Sequence, residues 1–245
     1  MAAVEVLRVR ADNPSPYTLE GTNTYVVGRD PAWVVDPGPA LDAHVEAVAR
    51  AVEARGGPGG VILTHDHPDH AEAAGALVAR LGGPPLAAMR HPADVALVDG
   101  ATFGPFVAVA VPGHAADHVV PVAGEEAFTG DAVLGAGSVF IAPDGGTLGD
   151  YLAGLRRLRG LGLARLWPGH GPVIEDPAAV LDAYAAHRLE RERRVLAAWE
   201  AGARSEDELL AAAWDAIPDG LELPALWTLR AHLAQLRADG RIPAP

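Results

Sequence analysis

Apolar positions along the chain come in two rhythms. Runs that are apolar, or that alternate apolar with polar, occupy residues 4–9, 24–27, 32–35 and 61–63, and again 106–111, 119–122 and 126–128, which is the spacing of strands. Between them the period lengthens. Leu41, Val45, Val48 and Val52 recur three and four apart, as on one face of a helix packed against a sheet. Further helices are expected near 71–81 and 149–160. Strands alternating with helices predict a layered α/β domain, and periodicity alone specifies no more than that.

From about residue 175 the strand rhythm stops. Asp176-Pro177 opens a long helical stretch in which Arg188, Arg191, Arg193 and Arg194 alternate with Glu190 and Glu192. Ser205 and Glu208 make a capping-box pattern ahead of Leu209-Leu210. In the tail from Leu223 to Ile242, Leu226, Leu229, Leu233 and Leu236 keep helical spacing and Gly240 marks a stop. The arginine cluster reads as a solvated helix face with intrahelical ion pairs, although such a cluster also invites a nucleic-acid reading.

Composition narrows the picture. At 245 residues and 49% hydrophobic the chain can bury a sizeable core, and with only 5% aromatic residues that core is built mainly from Ala, Val and Leu. Gly 28 and Pro 21 suit the many tight connections of a layered fold. A formal net charge of −13 argues against a broad polyanion-binding surface, while leaving room for a local basic patch that meets RNA. The first ten residues lack a signal-like profile, since Glu5 and Arg8 interrupt the apolar positions, and no run approaches the roughly 20 apolar residues of a membrane helix. A cytoplasmic protein is expected, not a secreted antibiotic-degrading one.

The chemistry concentrates in Thr64-His65-Asp66-His67-Pro68-Asp69-His70. Crowding that many ionisable groups is unfavourable unless they are paired or coordinate an ion. His65 and His67 follow the apolar Val61-Ile62-Leu63 two apart, so extended backbone points both rings to one face. Pro68 holds His67 extended, and Asp69 and His70 follow as the chain turns toward a helix. Single further candidates sit at the ends of later apolar runs, each directly after a glycine: His114, Asp131 and His170. Imidazole and carboxylate donors favour zinc, manganese or iron, and Cys 0 removes thiolate sites. His118 is a candidate for orienting a ligand through its ring, with a core or surface placement equally open. His44, His91, His187 and His232 lack such a context and read as surface or helix residues.

With these residues in hand, the sequence resembles the metallo-β-lactamase-fold hydrolases, whose His-x-His-x-Asp-His signature and later His, Asp and His are matched here in order. Within them it is similar to the β-lactamase-like protein 2 subgroup, a glyoxalase II-like branch, through residues 13–25, 112–118, 128–135 and 167–172. The resemblance implies an αββα sandwich over residues 1–180 and a winged-helix-like helical appendage over 181–245 that closes one edge of the site. It also implies a ligand set: His65, His67 and His114 around one metal, Asp69, His70 and His170 around a second, and Asp131 between them. Asp36, in Trp33-Val34-Val35-Asp36-Pro37-Gly38, matches a motif whose aspartate supports the site without ligating.

The expected function is a hydrolase with two zinc ions, manganese or iron being alternatives, that activates water to cleave an ester, thioester or lactone. No protein nucleophile is needed, and no convincing Gly-x-Ser-x-Gly elbow is present. Asp69 could also orient the attacking water or receive a proton. The expected partner is a small or carrier-bound substrate. Competing readings are a single-strand endoribonuclease, a mononuclear iron dioxygenase, and a metal-free interaction module that should have lost ligands. A flavin-linked di-iron enzyme usually carries Glu in place of the second histidine, which is His67 here.

Overall fold

The computed structural model describes residues 4–142 and 145–243. Its first six strands, β1 (Val6–Arg10), β2 (Asn23–Val27), β3 (Ala32–Val35), β4 (Pro58–Ile62), β5 (Leu86–Ala88) and β6 (Val95–Ala96), form one sheet in that order. The next five, β7 (Thr102–Phe103), β8 (Phe106–Ala110), β9 (Val119–Ala123), β10 (Glu126–Gly130) and β11 (Arg165–Pro168), form the second, with β11 beside β10. Pairing is antiparallel from β1 to β3 and parallel from β3 to β6; in the second sheet only β10 and β11 run parallel.

Strand alternation builds three layers of core. Tyr25 and Val27, Val35, and Ile62 point between the sheets, where they meet Phe106, Ala108, Val119 and Phe128 of the second sheet. Their neighbours Val26, Val34 and Val61 point outward onto the helices α1 (Asp42–Glu53) and α3 (Ala74–Arg80), which contribute Val45, Val48, Val52 and Leu77. On the other side, Val109, Val120 and Ala127 face α4 (Leu148–Arg159) and the start of α5 (Pro177–Glu200) through Leu155, Leu158 and Leu181. Period-two side-chain alternation in strands buried on both faces therefore produces the helix-sheet-sheet-helix order, an αββα sandwich.

The tail is helical, as the leucine spacing predicted. α5 is followed by α6 (Glu206–Ala213) and α7 (Glu222–Ala238), with Ser205 and Glu208 forming the expected capping box. These three helices bury Val195, Leu209, Leu229, Leu233 and Leu236 in a core of their own, each such side chain contributing roughly 1.5–3 kcal/mol. α5 belongs to both cores: Leu181 packs against the second sheet and Val195 within the tail. No strand follows β11 among the described residues, so the appendage is seen as helices without a wing.

Four strands were not anticipated from the pattern. β5, β6 and β7 have only 3, 2 and 2 residues, too few to show an alternation, and β11 carries a proline in Arg165–Pro168. Each is placed by pairing with a longer neighbour.

Candidate metal centre

All the singled-out donors lie at one end of the sandwich, past the carboxyl ends of strands. His65 follows β4 of the first sheet; His114 follows β8, Asp131 follows β10 and His170 follows β11 of the second. The short α2 (Pro68–Ala71) carries Asp69 and His70, with Pro68 at its first turn. Two glycines allow the approach. Gly130 takes φ +46°, beside the Thr64 hydroxyl, and a side chain on Gly169 would overlap His70 and Asp131.

Two groups result. In the first, the ring nitrogens of His65, His67 and His114 converge, with His65 Nε2 and His114 Nε2 each 3.0 Å from His67 Nδ1. In the second, His170 Nε2 lies 3.2 Å from Asp69 Oδ2 and His70 Nε2 3.4 Å from the same oxygen. Asp131 spans both. Its Oδ1 is 3.3 Å from His170 and 3.4 Å from His70, and its Oδ2 is 3.6 Å from His114. His65, His70 and Asp131 make a third set of mutually close donors.

The two groups differ in electrostatics. Burial pushes His65 well below the ordinary imidazole range, and it pushes His114 down to about 4, so both are neutral near pH 7. Burial acts the same way on His70 and His170, but the carboxylates win. Asp69, Asp131 and Asp36 hold His70 well above the usual value, and Asp131 and Asp69 raise His170 to about 9. Burial alone would raise the Asp131 and Asp69 carboxyls, yet the facing imidazoles keep both below the usual carboxylate range.

Surrounding groups orient the donors. Asp36, with φ +51°, accepts from the Thr64 amide at 2.7 Å and hydroxyl at 2.8 Å, and pairs with His70 Nδ1 at 2.8 Å. That bond turns His70 Nε2 toward the carboxylates, where it is buried without a hydrogen-bond partner. His118 Nε2 accepts from the Asp131 amide at 3.2 Å and its ring stacks on His65 at 4.8 Å, so it buttresses the site.

Two supporting residues, Thr22 and His44, escaped the sequence reading. Thr22 donates to Asp69 Oδ2 at 3.1 Å; it lies in the 13–25 stretch, whose pattern alone assigned it no role. His44 sits on α1 but is buried, and its Nε2 lies 2.8 Å from the Thr24 hydroxyl, which donates to the Asp36 carbonyl at 2.6 Å. His232, on α7, is fully buried, with neither ring nitrogen paired among the described residues. His187 is on α5, and His91 is a partly exposed partner of Asp66 at 2.6 Å. The arginine cluster also departs from a uniformly solvated face. Arg193 pairs with Glu190 as expected, but Arg188 is only 2% exposed.

Beside the cluster opens a cavity of about 270 Å³. His114 and Asp131 form part of its wall, Tyr17 and Phe140 another part, and α5 with Trp214 and Leu221 closes it. The helical tail thus covers one edge of the site, as expected.

An αββα sandwich with a His/Asp cluster at the strand ends defines a class of metal-dependent hydrolases. The model of the metallo-β-lactamase superfamily matches residues 17–94. A β-lactamase-like protein 2 homolog from Caenorhabditis elegans is 31% identical over 212 residues, 78% of this chain and 70% of that protein. Thioesterase pkgB from Emericella nidulans is 34% identical over 203 residues, 78% of this chain and 58% of that protein. The crystal structure of a metallo-β-lactamase family protein from Thermus thermophilus has the same fold, with a TM-score of 0.78 at 22% identity over 99% of this chain and 96% of that one. The chain belongs to the metallo-β-lactamase superfamily.

Proposed function

We propose that the protein is a dinuclear zinc hydrolase of an ester, thioester or lactone, with His65, His67 and His114 holding one ion, Asp69, His70 and His170 the other, and Asp131 both. The observation that carries this is the convergence of donors on two adjacent points. Three ring nitrogens meet where at most one can donate to another, and the buried His70 Nε2 and Asp131 Oδ1 have no hydrogen-bond partner. Such groups fit cations far better than one another.

Two divalent ions held by these residues would supply Lewis acidity and would lower the pKa of water toward neutrality. The chain's own residues do the rest. Asp69 is the most open carboxylate of the site, with a side chain 28% exposed against 12% for Asp131, so it is placed to orient the attacking water and receive its proton. Thr22 holds Asp69 in that direction, and Asp36 holds His70. Phe140, edge-on to His114 at 4.7 Å, keeps the cavity side apolar and limits water there.

A thioester is favoured within the class by the likeness to a protein named a thioesterase. The cavity supports a compact substrate over an RNA strand, because Arg193 and Arg194 are spent on Glu190 and Asp215 and are not free for a phosphate track. No helix among the described residues is long and apolar enough to cross a membrane. Elemental analysis with a panel of thioesters, lactones and single-stranded RNA tests the reading: two zinc per chain and thioester or lactone turnover support it. Failure to bind any transition metal after reconstitution overturns it.

A further inference from the structure

The cavity beside the His/Asp cluster has a cationic wall, and the one acid among its described lining residues, Asp131, belongs to the cluster itself and pairs with neither arginine. Arg188 of α5 lines it and is 2% exposed; one amino group donates to the Ser138 hydroxyl at 2.9 Å and to the Val139 carbonyl, while its buried Nε has no partner. One turn on, Arg191 lines the same cavity, its guanidinium 4.2 Å from the Trp214 ring centroid and donating to the Ala213 carbonyl at 2.6 Å.

Neither arginine makes an ion pair among the described residues, although the same helix is rich in acids. Of those acids, Asp182 pairs with Arg159, Glu190 with Arg193 and Glu192 with Arg241, and Asp215, beyond α6, pairs with Arg194. A guanidinium buried without a carboxylate is strongly unfavourable unless an anion arrives to complete it. In a chain of net charge −13, leaving two arginines unpaired at a cavity that touches the His/Asp cluster is a specific arrangement. His187, also in the wall, lies with Nε2 3.3 Å from Arg191 Nη2, so it accepts and adds no acid. Tyr17, Leu19, Phe140 and Leu221 give the same cavity an apolar wall.

We propose that the substrate carries a carboxylate or similar anionic group, which Arg188 and Arg191 hold through an apolar-walled cavity while the bond to be cleaved lies at the His/Asp cluster. The nature of that bond rests on the hydrolase reading above; the anion pocket does not. Guanidinium donors match a carboxylate in geometry as well as charge, and in an enclosed apolar setting the pairing discriminates strongly against a neutral isostere.

The test uses the full-length, metal-loaded protein and two matched pairs of thioesters. In one pair the acyl chain ends in a carboxylate or in its carboxamide; in the other the thiol part does. The ratio of kcat/KM, carboxylate over carboxamide, is measured within each sample, so a partly inactive preparation does not alter it. At least one pair should show a preference of roughly tenfold or more, and the pair that does identifies which side of the bond enters the cavity. Arg191→Met and Arg188→Met should each bring that ratio close to one. Arg191→Met leaves the Arg188 contacts to Ser138 and Val139 in place, so the question survives if Arg188→Met does not fold. Ratios near one for both pairs, or a preference that persists in Arg191→Met and in any Arg188→Met that folds, overturn the proposal. If no thioester is cleaved, the thioester preference fails by itself and the anion pocket is still testable. Calorimetry with the corresponding non-cleavable amides then decides the anion pocket, by the same ratio taken in Kd.

Discussion

The two halves of the His/Asp cluster reach a similar donor density by opposite means. His65, His67 and His114 stand together without an acid of their own, and burial keeps His65 and His114 neutral. Around Asp69 the imidazoles of His70 and His170 face carboxylates that hold them toward the protonated form. The first half is therefore open to a cation with no proton to displace at those two rings, whereas the second must exchange protons for it. Asp131 couples the halves, touching His114 through one oxygen and His70 and His170 through the other.

Substitutions can break this comparison in order of severity. Asp131→Ala removes the shared carboxylate and should empty both halves, with near-zero metal by elemental analysis and a loss of about a thousandfold or more in turnover. His67→Ala and His170→Ala each strike one half; about a hundredfold loss in activity is expected from each, with metal lost first from the half that was cut. Identical metal content in the two variants would mean that the halves are not separable. Asp36→Asn keeps the shape but weakens the grip on His70, and should lower metal affinity or activity by roughly 10–100-fold.

A pH titration sharpens the contrast directly. In protein stripped of metal by a chelator, His170 should titrate near 9 and His114 near 4 by NMR. The signs differ. Protonation of His170 stabilises the fold fully below about pH 6.5 and that contribution is lost as pH rises through about 9. Neutral His114 contributes stability above about pH 6.5 that is lost as pH falls toward about 4. Both imidazoles titrating near 6.5 would erase the distinction. The smallest effect is expected from Thr22→Ala, which removes one hydrogen bond to Asp69, about 1 kcal/mol and a few-fold in rate.

Legibility followed the range over which each feature is decided. The His65 to His70 run is local, and its spacing after β4 dictates where the rings point, so it could be read directly. The long helices declared themselves by repetition, the α6 cap by its Ser205 and Glu208 pair. By contrast β5, β6 and β7 exist only because a neighbouring strand offers hydrogen bonds. His44 looked like any helical histidine until folding set it against Thr24. Arg188 belonged to a charged run along the chain, yet in three dimensions it is enclosed.

What the chain alone determined is the set of donors, their order, and the alternation that sorts each strand's side chains to two faces, because these depend on backbone period and residue chemistry. Tertiary structure decided which donors share Asp131, which imidazoles a carboxylate holds charged, and that two arginines of α5 line a cavity with no carboxylate paired to them. Those outcomes rest on distances between residues far apart in sequence, and on how much water the packed layers leave around them.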